Sequence, residues 1–148
     1  VGLIEDVGIG PVALDTAVFI HFIEENPEYL PLIQPLLVGI DSGLWDGVTS
    51  ALTLLETLAV PLRAGNLALA ERYEELLTHG RGLTLVELDQ PLLRAAAHLR
   101  ARFTIGTADA LQLAAALATG CTTFVTSGRR LPEIPGLRIL DLDRYRAA

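Results

Sequence analysis

The sequence holds no lysine, no methionine, one cysteine and one tryptophan. Each absence excludes something. Without lysine there is no G-x-x-x-x-G-K-[ST] phosphate loop, because that motif uses its lysine to meet the β- and γ-phosphates. A lone Cys121 excludes an internal disulfide and a cysteine-built zinc cage, and its apolar neighbours read as packing around a structural thiol rather than a nucleophile. The shortage of cysteine also makes the cytoplasm the expected compartment. No stretch reaches the roughly 18 consecutive apolar residues of a membrane-spanning helix. No basic segment followed by an apolar one opens the chain as a secretory signal would. With no methionine, even in first place, the true N-terminus stays open. Positive charge is scarce too: 11 basic residues, all arginine, face 18 acidic ones, for a net charge of −7. That balance argues against strong non-specific binding to a nucleic-acid backbone, while leaving room for a local basic face.

What the chain has is apolar patterning. Hydrophobic residues make up 51% of 148 residues, and the mean hydropathy of +0.43 excludes disorder and suits one domain with a substantial core. Short apolar strands are expected at 12–16, 45–50, 83–89, 121–127 and 137–143. Between them run segments of helical spacing: 16–26, 28–43 after the break at Pro27, one carrying Glu56, then 67–80, 90–103 and 107–120. Strand and helix therefore alternate, and several strands are apolar on both faces. The expected fold class is α/β, a three-layer α/β/α sandwich around a central, mainly parallel five-stranded sheet.

Acids recur where such a sheet places its chemistry, at the carboxyl ends of strands near the reversal of strand order. Asp15 ends the first strand and Asp109 opens the helix at 107–120. Glu56 interrupts the run ALTLLETLAVPL, whose Leu52, Leu54, Leu55, Leu58, Val60 and Leu62 all read as buried. Each acid has a plainer reading. Asp15 suits an N-cap, Asp109 after a Thr107 cap suits the helix dipole, and Glu56 suits an arginine partner such as Arg63 or a small exposed window. If the three converge instead, two charges 4 Å apart repel by about 4 kcal/mol at an effective dielectric of 20. Such a site needs protonation or a divalent cation, and oxygen-only donors select a hard ion such as Mg²⁺ or Mn²⁺.

The segments LDTAVFIHFIEENPEYLPLI, VTSALTLLETLAVPLR, TADALQLAAALATGCTTFVTSGRRL and GLRILDLDRY together resemble PIN-domain ribonucleases, and among them the VapC-type toxins of toxin–antitoxin pairs. The resemblance runs over nearly the whole chain and implies a single PIN-like domain over residues 1–148. It implies a metal-dependent endoribonuclease in which Asp15, Glu56 and Asp109 hold Mg²⁺ or Mn²⁺ and act as the catalytic acids. Thr16 falls where the family often carries a small hydroxyl. After the fourth strand the family usually reads Thr-Asn-Asp; here Thr126 matches, Ser127 replaces the Asn, and Gly128 stands in the place of a fourth acid. Thr126 and Ser127 either position water or a phosphate oxygen or simply cap a turn. Arg129 and Arg130 either grip RNA or belong to a solvated face, as do Arg94, Arg100 and Arg102. Tyr29 and Trp45 either stack on bases or pack on the core.

The resemblance further implies RNA as substrate, a cognate antitoxin partner, a homodimer and no membrane. The apolar helices at 17–38 and 52–62 either supply the antitoxin groove or simply pack on the core. Gly128 supports one rival of another class, a PIN-fold binding or scaffold module without efficient catalysis. Phosphoacceptor receivers and haloacid-dehalogenase-like phosphatases are set aside, since both need a lysine.

Overall fold

In a computed structural model, the structure describes residues 2–146; the start of the chain, left open above, lies outside them. All five expected strands form, each shorter than expected: β1 (Val12–Leu14), β2 (Gly47–Ser50), β3 (Leu83–Val86), β4 (Thr123–Thr126) and β5 (Arg138–Asp141). They are short because the chain turns towards a helix or loop as soon as it clears the sheet. The helices are α1 (Leu3–Val7), α2 (Thr16–Ile23), α3 (Leu30–Asp41), α4 (Leu52–Arg63), α5 (Leu67–His79), α6 (Gln90–Arg102) and α7 (Thr107–Ala118). The short α1 has no counterpart in the sequence reading.

The strands pair in the order β3-β2-β1-β4-β5, all parallel. Burial follows that order. Every residue of β1, β2 and β4 is buried, whereas the edge strands β3 and β5 are partly exposed. This is the continuous apolar run expected of central parallel strands. Side chains alternate between two cores. Val12, Leu14 and Val125 pack with Val18, Phe19, Ile33, Leu36 and Leu77, which α2, α3 and α5 supply. Ala13, Val48 and Phe124 pack on the other face with Leu113 and Ala116 of α7. The order reverses between β1 and β4, and Leu14 pairs with Val125. Asp15 and Thr126 therefore leave the sheet side by side at the switch point.

Two local expectations change, and two others hold. Leu55, Val60 and Leu62 are 65%, 65% and 52% exposed; α4 buries Thr53, Thr57 and Pro61 instead. That stripe at i, i+4 and i+8 wins because the hydroxyl of Thr53 finds buried partners in Thr49 and Gln112, so its polarity costs little. Thr107 is the first helical residue of α7 rather than its cap, which is Gly106; the Thr107 hydroxyl accepts instead from Arg100 Nη1 at 3.0 Å. Trp45 is buried, and its Nε1–H donates to Gly8 O at 2.8 Å. Its role is packing, and Cys121 is likewise a buried thiol.

Candidate active site

Asp15 is 6% exposed and caps α2, accepting from the backbone N–H of Ala17 at 3.0 Å. The Thr126 hydroxyl donates to its other oxygen. Burial pushes the Asp15 carboxyl up from 3.8 to about 6, against the pull of the Thr126 bond and the charge of Arg129. The capping reading and the site reading thus describe one residue. A cap needs no such burial, since a surface Asp satisfies the same N–H groups.

Glu56 is half-buried and accepts from Thr16 Oγ1 at 2.6 Å. No arginine pairs with it among the described residues; Arg63 is exposed at the end of α4. Asp109 lies in the first turn of α7, its side chain 22% exposed, with Arg129 Nε 3.6 Å from Oδ1. One guanidinium therefore faces Asp109 and also acts on Asp15.

A second layer of polar groups lies beneath these acids. Thr49, Ser50, Thr53 and Gln112 are all buried. Thr49 and Thr53 hydroxyls sit 2.7 Å apart, Gln112 Nε2 donates to Thr53 Oγ1 at 2.8 Å and to Thr16 Oγ1 at 3.3 Å, and Ser50 N–H donates to Gln112 Oε1 at 3.4 Å. The sequence reading passed over Thr53 and Gln112. The available signal was a polar residue at helical spacing on a stripe facing the sheet, such as Gln112 three places after Asp109.

The sequence matches the PIN domain family over residues 12–137. The chain belongs to the PIN domain family. No curated protein matches it in sequence. In fold, this PIN domain is similar to VapBC2 from Rickettsia felis, solved bound to a DNA fragment from its promoter, with 17% identity and a TM-score of 0.66 over 88% of this chain and 98% of the other. It is also similar to a toxin–antitoxin complex from Klebsiella pneumoniae, with 19% identity and a TM-score of 0.64 over 85% and 94%. DNA-bound VapBC from Salmonella typhimurium gives 20% identity and a TM-score of 0.60 over 90% and 99%.

Beyond the end of β4, Ser127 meets a histidine. Its hydroxyl lies 3.2 Å from His21 Nε2, and His21 stacks on Tyr29 with ring centroids 3.9 Å apart. Tyr29 in turn donates to Asp143 Oδ1 at 2.6 Å. Tyr29 is thus held by its neighbours rather than presented as a platform. Gly128 adopts φ +67°, its N–H donates to Asp141 Oδ1 at 3.0 Å, and a Cβ there would lie 3.3 Å from Asp143 Oδ2. An acid at 128 would need the left-handed conformation and would meet a like charge, so glycine suits the position. Arg130 is exposed and makes no ion pair among the described residues.

The donor chemistry at Asp15, Glu56 and Asp109 fits a hard divalent cation: the donors are all oxygen, and one carboxylate is held where its charge is costly. Arg129 already stands as the positive charge against Asp109. The arrangement is nonetheless open. Among the described residues, no three His, Cys, Asp or Glu side chains form a group able to hold a metal ion as they stand.

Proposed function

We propose that this PIN domain is a metal-dependent endoribonuclease, the toxin of a toxin–antitoxin pair. The observation that carries the reading is Asp15, an almost wholly buried carboxylate at the switch point, with Glu56 and Asp109 on the neighbouring helices. Asp15, Glu56 and Asp109 would hold Mg²⁺ or Mn²⁺, which when bound lowers the pKa of a water and offsets charge on a phosphoryl group. The chain's own residues supply the rest. Thr126 keeps Asp15 oriented, Thr16 fixes one oxygen of Glu56, and Arg129 and Arg130 lie next in sequence to the end of β4, where they meet the phosphates of RNA. Water adds to phosphorus, the bond to the 3′ oxygen breaks, and that oxygen takes a proton, leaving a 5′-phosphate and a 3′-hydroxyl.

Arg129, 3.6 Å from Asp109, would compete with a cation for that carboxylate. Because an exposed ion pair is worth up to about 1 kcal/mol, Arg129→Gln is expected to tighten Mn²⁺ binding by about 2- to 5-fold in calorimetry while weakening RNA binding. Unchanged Mn²⁺ affinity would show that Arg129 does not compete for the site.

The structural neighbours are toxin–antitoxin complexes, which supports a cognate antitoxin as partner. The exposed Leu55, Val60 and Leu62 of α4 offer that partner, or a second copy of the chain in a homodimer, an apolar surface. No helix of the described residues is long and apolar enough to cross a membrane, and a cytoplasmic location accords with the RNA substrate.

Two observations favour a second reading. Gly128 and the open arrangement of the three acids suit a PIN-fold binding module with impaired catalysis. Mn²⁺ titration by calorimetry, followed by RNA cleavage, separates the two. The nuclease reading expects wild type to bind Mn²⁺ and cleave, and Asp109→Asn to bind at least about 100-fold more weakly, since even residues behind metal ligands cost 10- to 100-fold. No binding by wild type at millimolar Mn²⁺ would leave the module.

A further inference from the structure

Gln112 is 5% exposed and lies on α7, one turn beyond Asp109. Its carboxamide nitrogen has two hydrogens and no acceptor capacity, and the structure gives it two partners, Thr53 Oγ1 at 2.8 Å and Thr16 Oγ1 at 3.3 Å. Its oxygen is tied to the backbone of β2 through Ser50 N–H. The Thr16 hydroxyl has one proton and two candidate acceptors, Glu56 Oε1 at 2.6 Å and Thr53 Oγ1 at 3.2 Å. Thr53 Oγ1 is already engaged by Gln112 and by Thr49. The carboxylate is the stronger acceptor, and Thr53 Oγ1 already accepts from Gln112.

From this proton count we infer that Gln112 is a positioning residue for Glu56, acting through the hydroxyl of Thr16. Gln112 anchors Thr16 to β2, Thr16 turns its proton to Glu56, and one oxygen of Glu56 is fixed before any ligand arrives. Methionine at 112 matches the glutamine in length and packing but donates nothing, so Thr16 regains the choice of turning to Thr53. Glutamate keeps the shape and the acceptor for Ser50 N–H and likewise has no donor for Thr16 when ionised.

The consequence for metal uptake rests on the nuclease reading; the positioning itself does not. Gln112→Met, Thr16→Val and the double variant separate the two, with Gln112→Glu as second variant should Gln112→Met fail to fold. In the metal-free full chain, side-chain scalar couplings of Glu56 report one rotamer in wild type and averaged rotamers in each single variant. The double variant is no more averaged than either. Calorimetry then gives about 10- to 100-fold weaker Mn²⁺ binding for each single variant, and the double variant loses no more than the larger single effect. A Glu56 rotamer indifferent to Gln112, or losses that multiply in the double variant as independent sites do, overturns the inference. If wild type takes up no Mn²⁺, the nuclease reading falls and the metal-free couplings alone decide the role of Gln112.

Discussion

Asp15→Asn is expected to make the metal-free protein more stable at neutral pH while abolishing Mn²⁺ binding and RNA cleavage. Burial lifts the Asp15 carboxyl from 3.8 to about 6, so the folded chain holds that proton more tightly than the unfolded one. The resulting stabilisation is fully present below about pH 4 and is lost as the pH rises through 6. At pH 7.5 the ionised side chain costs the fold about 3 kcal/mol, at 1.36 kcal/mol per pKa unit. Asparagine stays neutral, and its amide oxygen can still accept from the backbone of Ala17 at the cap. Thermal unfolding should therefore show a higher Tm for Asp15→Asn at pH 7.5, with the gap closing towards pH 4. Added Mn²⁺ should raise the Tm of wild type and leave the variant unmoved. A variant less stable than wild type by the same margin at every pH would show that Asp15 is a cap and nothing more.

Glu56→Gln is expected to separate activity from stability in the opposite manner. The amide oxygen accepts the Thr16 bond that the carboxylate accepts now, and the site is half-buried, so denaturant unfolding should shift by under about 1 kcal/mol. Lost charge at a proposed metal ligand should nevertheless lower single-turnover RNA cleavage at least about 100-fold, with a matching loss of Mn²⁺ affinity. Cleavage within a few-fold of wild type would remove Glu56 from the catalytic acids and leave the Thr16–Glu56 bond a helix-to-helix tie between α2 and α4. Together the two variants test the site from a buried acid that strains the fold and a half-exposed one that does not.

Much of this architecture was legible residue by residue. Alternating apolar runs gave the five strands and six of the helices, because the periods of strand and helix are local properties. The order of Asp15, Glu56 and Asp109 along the chain, with Thr126-Ser127-Gly128 at the end of β4, pointed to the PIN family. The five-residue α1 escaped because so short a segment has no period to detect. The burial of α4 misled for a related reason. Leucines dominate its composition, yet Thr53 and Thr57 are buried, since the Thr53 hydroxyl meets Thr49 and Gln112 and the Thr57 hydroxyl donates back to Leu54 O.

The sequence by itself determined the strand-helix alternation, the α/β class and the order of the three acids along the chain. Only the tertiary structure decided what each acid touches. Thr16 meets Glu56 across 40 residues and Thr126 meets Asp15 across 111, through parallel crossovers that no short window of sequence contains. Arg129 faces Asp109, Gln112 reaches Thr16, and Asp143 fills the space beside Gly128. These pairings follow from the strand order β3-β2-β1-β4-β5, which brings together segments distant in sequence. Periodicity fixes which way a side chain faces from its own element; the packing of one element against another fixes what it meets.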